Sequence, residues 1–150
     1  MSESLASVTV PRGFIAGGTT CGIKESGNPD LAMVVSETSA RIAAVFTRNA
    51  VVGAPVIVGR ENVKGGRGRA VVCNSGCSNV ATGNQGVEDA LNMCLIAGQS
   101  IGCNPSHVIP MSTGVIGRRL PIRKVLTGIE GLAGQLHRGP QADADAATAI

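Results

Sequence analysis

Residues 69–83 read RAVVCNSGCSNVATG, and they contain the clearest local pattern of this 150-residue chain. The run Ala70–Cys73 is short, apolar and β-branched, as is typical of a buried strand. Small polar residues follow, and beyond them apolar residues recur at helical spacing, namely Val87, Ala90, Leu91 and Cys94. Thr82 and Gln85 have the spacing of a capping box. The pattern predicts a strand, a structured loop and a helix over about residues 86–100.

The remaining chain predicts further short strands and helices. Apolar runs favour strands at Leu31–Ser36, Arg41–Thr47, Pro55–Val58 and Val108–Met111. Two more helices are predicted, one beginning at Pro121, which suits a first helical position, and an alanine-rich one over Ala142–Ile150. The 21 glycines favour tight turns between these elements. We expect a single domain over residues 1–150, with residues 1–9 loosely ordered.

Composition argues against several classes of protein. The formal net charge is only +3 and the only aromatic residues are Phe14 and Phe46, which argues against nucleic-acid binding. The five cysteines are odd in number and form no Cys-x-x-Cys pair, so we interpret them as reduced thiols of a cytoplasmic protein. The N-terminus has no basic stretch followed by an apolar run, and no apolar run reaches transmembrane length. We therefore expect neither a secreted nor a membrane protein.

Most of the reactive side chains give only weak signals for chemistry. His107 and His137 have no second His, Asp or Cys at metal-ligand spacing, and Cys77 has no basic partner in the sequence. Structural or surface roles are favoured for the histidines, and no metal or cofactor is predicted. The basic glycine loop Lys64–Arg69 has a composition that can hold phosphate, but a solvated connection is favoured because no helix start follows it.

Two segments of small and polar residues follow predicted strands. For Asn74–Gly83, a structured loop and the wall of a ligand site are equally compatible with the pattern. In Ser112–Gly117, two glycines free the backbone to turn, and the Thr113 hydroxyl beside the Gly114 N–H offers two donors to a developing oxyanion. Spacing alone nevertheless favours an ordinary strand-to-helix turn for this second segment.

Taken in order, several stretches resemble the ArgJ family of glutamate N-acetyltransferases and ornithine acetyltransferases. The most specific are residues 69–83 and the segment Ser112-Thr113-Gly114-Val115-Ile116-Gly117, and shorter ones are Val10–Phe14, Ala44–Asn49 and Ala54–Val56. Order and spacing resemble the family from about Val8 to Ile150. Cys73 and Cys77 depart from the pattern, where Val and Asn or another small residue are expected. This departure concerns turn packing more than chemistry.

The resemblance implies an α/β fold of layered mixed β-sheets with flanking helices, as in the self-processing ArgJ and DmpA enzymes. It implies a precursor that cleaves itself before a threonine, which becomes the N-terminal nucleophile of a β chain. Acetyl would move from N2-acetylornithine to that threonine and then to glutamate in arginine biosynthesis, with Thr113 and Gly114 as the oxyanion hole. A heterotetramer of two α and two β chains is expected, without metal or cofactor, and acetyl-CoA is a further potential donor.

In the resembling family the nucleophilic threonine lies beyond the position of Ile150. We therefore expect this chain to be the N-terminal part of an α chain, incomplete and inactive alone. Two alternatives within enzymes stay open, an N-terminal-nucleophile aminopeptidase that hydrolyses its acyl-enzyme and a paralogue of the acetyltransferase in specialised metabolism. A third alternative is a non-catalytic module that binds polyanions through residues 65–69.

Overall fold

The computed structural model describes residues 7–150, which fold around one four-stranded sheet. The strands lie side by side in chain order, namely β1 (Phe14–Thr19), β2 (Leu31–Arg41), β3 (Arg67–Asn74) and β4 (Val108–Ser112). The flanking helices are α1 (Ala54–Val63), α2 (Gly83–Ile101), α3 (Ile122–Ala133) and α4 (Pro140–Thr148), and a 3-10 turn at Pro105–His107 leads into β4. A mixed sheet with flanking helices confirms the predicted α/β class.

The sheet combines antiparallel and parallel pairing. β1, β2 and β3 pair antiparallel, whereas β3 and β4 are parallel. The chain between β3 and β4 contains α2, which supplies the long crossover that a parallel pair requires. At the end of this pair Asn74 is in register with Ser112. The loops that follow β3 and β4 therefore leave the sheet at the same edge.

Helices cover both faces of the sheet. Successive side chains of a strand point to opposite faces, and β2 shows this alternation. Leu31 and Met33 join a buried cluster with residues of α2 and α3, whereas Ala32 packs with Ala142 and Ala146 of α4. The core is aliphatic on both sides. Among residues 7–150, no helix is long and apolar enough to cross a bilayer.

The strand predicted at Pro55–Val58 is wrong, because this run lies in α1. Pro55 occupies the first turn of the helix, where its missing N–H costs no intrahelical hydrogen bond. Val58 is buried, and Asn62 on the next turn donates from Nδ2 to the Val108 carbonyl at 2.7 Å. A short apolar run is compatible with either element. Packing of α1 against β4 is what makes this one helical.

The strand predicted at Arg41–Thr47 is also wrong. β2 instead continues through the polar link at residues 37–40 and ends at Arg41, after a shift in register between Val35 and Ala40. The pair Ala40 and Gly68 carries the ladder past this irregularity. Residues 42–49 have no regular secondary structure, and Val45 is 98% exposed. One long, irregular strand thus replaces the two that the pattern favoured.

The predicted helices are present with small shifts at their ends. The helix expected over residues 86–100 is α2, and the helix expected from Pro121 is α3, for which Pro121 is the N-cap. The capping box is wrong, because the Thr82 hydroxyl donates to Asn79 Oδ1 at 2.7 Å and makes no cap hydrogen bond. The alanine-rich helix predicted near the end of the chain is α4.

Part of the N-terminal segment that was expected to be loosely ordered is attached to α4. Thr9 is 3% exposed, and its N–H donates to Asp143 Oδ1 at 3.1 Å. Arg138 donates to the carbonyl groups of Thr9 and Val10 at 3.1 and 3.2 Å. Residues 1–6 lie outside the described residues. The first turn of α4 and the approach to β1 are therefore held together.

Gly131→Ala should raise the free energy of unfolding by about 0.5–1 kcal/mol, because glycine inside a helix loses more backbone entropy than alanine. A Cβ at Gly131 meets no atom within 4 Å. Gly66→Ala is the matched control, since its site is equally open but its φ is +63°. That variant should lose about 1 kcal/mol. Urea denaturation followed by circular dichroism measures the free energy of unfolding of both variants. If the two substitutions change it in the same direction, the prediction is contradicted.

Candidate functional site

The loops after β3 and β4 remain hydrogen-bonded beyond the ends of the strands. The Ser78 N–H donates to the Val115 carbonyl at 3.0 Å, and the Val115 N–H donates to the Gly76 carbonyl at 3.3 Å. Farther along, the Gly117 N–H donates to the Val80 carbonyl at 2.9 Å. The structure therefore brings together the two small polar segments that the sequence singled out, although about forty residues separate them in the chain.

Gly114 lies directly against the backbone of the neighbouring loop. Its φ is +125°, a region that side chains disfavour. A Cβ at this position would lie 2.4 Å from the Gly76 carbonyl carbon and 2.6 Å from the Cys77 nitrogen. Both contacts are with backbone, so no side-chain rotation can relieve them. Only glycine allows the two loops to approach this closely.

Thr113 and Gly114, the predicted oxyanion-hole pair, are exposed at the surface between the loops. The Thr113 N–H is already used, because it donates to the Asn74 carbonyl at 3.0 Å. Within residues 7–150, neither the Thr113 hydroxyl nor the Gly114 N–H donates to a protein group. Two adjacent donors are thus free to bind an oxygen that carries negative charge.

Two buried asparagines hold the loop after β3. Asn74 accepts from the Ser112 hydroxyl at 2.6 Å and donates from Nδ2 to the Cys77 carbonyl at 2.8 Å. Asn79, with φ of +50°, donates from Nδ2 to the Gly86 carbonyl at 2.8 Å. Both are 0% exposed. The side chains of both residues thus satisfy backbone carbonyl groups, that of Asn74 within the loop and that of Asn79 at the start of α2.

A carboxylate that sequence analysis missed organises the turn between β1 and β2. Asp30 is 0% exposed and accepts four backbone N–H groups, from Cys21 at 2.6 Å, Gly22 at 3.1 Å, Ile23 at 2.6 Å and Lys24 at 2.9 Å. Burial alone raises the pKa of Asp30, but these hydrogen bonds outweigh it and hold the pKa below its ordinary value. The available signal was an acid that ends a turn-rich segment just before an apolar strand.

This turn also supports the loop after β3. The Ser75 N–H donates to the Asp30 carbonyl at 2.8 Å, and a Cβ on Gly76 would lie 3.0 Å from Ile23 Cγ2. Glu25 lies 3.9 Å from Arg118 and both are exposed, so this pair contributes little. The Asp30 turn therefore packs beneath the loop against which Gly114 lies.

The cysteines of the described chain are free thiols with poor access or poor reactivity. Cys77, considered as a nucleophile, is 0% exposed, and its Sγ lies 3.1 Å from the Arg118 carbonyl oxygen. Burial raises the pKa of Cys94 to about 12 and that of Cys73 to about 11. Burial and the neighbouring Asp30 raise the pKa of Cys21 to about 12. These thiols stay protonated near neutral pH, which makes them weak nucleophiles.

The other candidate groups do not converge on a site. Among the residues that the structure describes, no three His, Cys, Asp or Glu side chains are placed to hold a metal ion. His137 is exposed, with Nδ1 3.0 Å from the Gln135 carbonyl oxygen. In the basic loop, Lys64 pairs with Glu61 at 2.7 Å and Arg69 Nε donates to the Ser36 carbonyl at 2.7 Å. These bonds engage the ends of the loop and leave little of a phosphate cradle.

A separate cleft of about 530 Å³ opens between the end of β1 and α3. Hydroxyl and basic side chains line it, including Thr19, Thr20, Arg123, Lys124 and Thr127. Its lining contains neither Thr113 nor Gly114. Lys124 already donates to the Gly22 carbonyl at 3.3 Å. The free donors therefore lie on the surface outside this cleft.

Several solved structures are similar to this chain. One is ornithine acetyltransferase complexed with ornithine from Mycobacterium tuberculosis, with a TM-score of 0.92 and 39% identity over 96% of this chain and 78% of the other. Another is the arginine biosynthesis bifunctional protein ArgJ from Bacillus halodurans, with a TM-score of 0.87 and 33% identity over 97% of this chain and 75% of the other. These likenesses support the fold assignment.

Curated relatives share the same name. The arginine biosynthesis bifunctional protein ArgJ of Rhodopirellula baltica is 40% identical over 90% of this chain and 33% of its own length. That of Caldanaerobacter subterraneus is 45% identical over 95% of this chain and 35% of its own length. The chain thus spans about a third of the length of these relatives. The sequence profile of the ArgJ family matches residues 15–150, which include both loops of the site. The chain belongs to the ArgJ family.

Proposed function

We propose that this chain is the N-terminal part of the α chain of an acetyltransferase that moves acetyl from N2-acetylornithine to glutamate. Family membership supports the reaction, and the ornithine bound by the similar M. tuberculosis enzyme supports the substrate class. The observation that carries the proposal is the pair of free donors, the Thr113 hydroxyl and the Gly114 N–H, held between two paired loops. Here they serve as the oxyanion hole.

The proposed reaction has two acyl transfers. A threonine at the N-terminus of the β chain, with its own amine as base, attacks the acetyl carbonyl of N2-acetylornithine. The amide C–N bond breaks, ornithine leaves with the proton that the amine took from the threonine hydroxyl, and an acetyl ester remains. The glutamate amine then attacks the ester, and the threonine oxygen regains a proton as it leaves. In each step the carbonyl oxygen becomes an oxyanion, which Thr113 and Gly114 stabilise.

The proposal includes a partner and a compartment. The β chain comes from the same precursor and supplies the nucleophile, and two αβ pairs form a heterotetramer. Acetyl-CoA is a further potential donor. An odd number of cysteines without a Cys-x-x-Cys pair is typical of reduced thiols, so we propose the cytoplasm as the site of action. The proposed enzyme works without metal or organic cofactor.

Thr113→Ala in the full-length protein should lower kcat by about 100- to 1000-fold, because it removes one oxyanion donor. Thr113→Ser keeps the hydroxyl and should stay within about tenfold of wild type. Thr38→Ala, an exposed threonine on β2, is the matched control. The measurement is acetylation of glutamate from N2-acetylornithine, with mass spectrometry of the acetyl-enzyme. A Thr113→Ala rate within about threefold of wild type would exclude the oxyanion role.

The same assay tests the reaction class. Formation of an acetylated threonine followed by acetyl transfer to glutamate is the expected result. Absence of the acetylated threonine overturns the ping-pong proposal. If acetate is released and no acetylglutamate forms when glutamate is added, the protein is instead a hydrolase of the aminopeptidase kind.

A further inference from the structure

Asn74 is buried at the end of β3 and contacts both loops of the site. Its Oδ1 accepts from the Ser112 hydroxyl at 2.6 Å, its Nδ2 donates to the Cys77 carbonyl at 2.8 Å, and its own carbonyl accepts from the Thr113 N–H at 3.0 Å. These partners are the two residues before Gly114 and the residue whose nitrogen lies beneath it. One residue thus connects the position of Gly114 with the backbone on which it rests.

These contacts select the donors that remain free. A peptide N–H that donates to the sheet is not available to a substrate, so the bond to Asn74 commits the Thr113 N–H. The Thr113 hydroxyl and the Gly114 N–H remain. Oxyanion donors accelerate a reaction only when they are held in place beforehand, and displacements near 1 Å can cost about 100-fold in rate. We propose that Asn74 is the positioning residue of the Thr113–Gly114 pair, an inference that rests on the proposed function.

The chemistry of the site requires an amide at this position. The side chain must accept from the Ser112 hydroxyl and donate to the Cys77 carbonyl, and asparagine offers both on one planar group. Aspartate has the same shape but, when ionised, can only accept. It would face the Cys77 carbonyl without a proton and add negative charge close to the developing oxyanion. Asn74→Asp therefore removes the donor while preserving the volume of the side chain.

The test uses the full-length protein, with kcat and KM measured for N2-acetylornithine. Asn74→Asp should lower kcat by about 100-fold at pH 8 and leave KM within about threefold. Asn79→Asp is the matched control, because Asn79 is equally buried in the same loop but bonds to Gly86 at the start of α2. Its kcat should stay within about threefold of wild type even if the denaturation midpoint falls. Equal kcat losses in the two variants would overturn the inference.

The pH profile separates positioning from a merely structural role. When the carboxyl introduced by Asn74→Asp carries a proton, its O–H can donate to the Cys77 carbonyl as the amide does, and burial favours this neutral form. The ratio of the Asn74→Asp kcat to the wild-type kcat should therefore rise at least about fivefold between pH 8 and pH 6. Dividing by wild type removes the titration of the catalytic amine. A ratio that is flat, or that follows only the folded fraction measured by circular dichroism, would overturn the inference.

Ser112→Ala gives a second, milder variant in case Asn74→Asp does not fold. It removes one partner of Asn74 and should lower kcat by about tenfold with KM unchanged. If Ser112→Ala and any folded Asn74→Asp both keep the wild-type kcat, the inference is overturned. If Thr113→Ala nevertheless lowers kcat, the proposed function stands. A wild-type protein that transfers no acetyl overturns the proposed function and this inference together.

Discussion

The Gly114→Ala variant should lose about 4 kcal/mol in the free energy of unfolding and more than about 1000-fold in kcat. The added Cβ would lie 2.4 Å from the Gly76 carbonyl carbon and 2.6 Å from the Cys77 nitrogen. To avoid this overlap the two loops must separate, which breaks the hydrogen bonds of Val115 with Gly76 and Ser78. The stability loss comes from this disrupted packing, and the rate loss from displaced donors.

Gly117→Ala is the control for the effect of backbone conformation alone. Its φ is +78°, but a Cβ there meets no atom within 4 Å. It should cost about 1 kcal/mol, the usual penalty for a side chain in the left-handed region. Chemical denaturation followed by circular dichroism measures both variants, and the stability result does not depend on the proposed reaction. If both lose the same stability, the close contact of Gly114 with Gly76 is not the cause.

Asp30→Asn should lower the free energy of unfolding by about 3 kcal/mol at pH 7. Three N–H groups, those of Gly22, Ile23 and Lys24, share Oδ2, and the Cys21 N–H donates to Oδ1. An amide nitrogen cannot accept, so the Cys21 N–H loses its acceptor in one orientation of the asparagine and the other three N–H groups lose theirs in the opposite one. Because Ser75 also bonds to the Asp30 carbonyl, we expect the loop beneath Gly114 to loosen as well.

The pH dependence of this difference follows from the lowered pKa of Asp30. In the unfolded chain the group titrates at about 3.9. A folded-state pKa below that value makes the carboxylate stabilising above about pH 4 and removes this stabilisation as the pH falls through the folded pKa. The advantage of wild type over Asp30→Asn should therefore be constant from pH 7 to about pH 5 and shrink below about pH 4.

Urea denaturation at pH 7, 5 and 3.5 tests this dependence. Glu25→Gln is the matched control, because Glu25 lies in the same turn with its side chain 91% exposed. That variant should stay within about 0.5 kcal/mol of wild type. A wild-type advantage over Asp30→Asn that persists unchanged at pH 3.5 would show that the charge of Asp30 is not what holds the turn.

Local sequence patterns were sufficient where one element carries its own periodicity. The helical spacing after residue 86 predicted α2, and the β-branched run at Ala70–Cys73 predicted the buried half of β3. The run at Pro55–Val58 could not be assigned in this way, because four apolar residues fit a strand or a helix. Packing on the edge of β4, with Asn62 bonded to the Val108 carbonyl, made it helical.

The candidate site also combines features that the sequence predicted with features that only the tertiary structure shows. Residue types and their order, together with the resemblance to the family, identified Thr113 and Gly114 as a candidate oxyanion-hole pair. Their setting could not be read from the sequence, because it depends on residues far apart in the chain. Parallel pairing of β3 with β4 places Asn74 beside Ser112 and brings Gly114 into contact with the backbone of Gly76. Asp30 acquires its role only when the turn before β2 folds back to enclose its carboxylate.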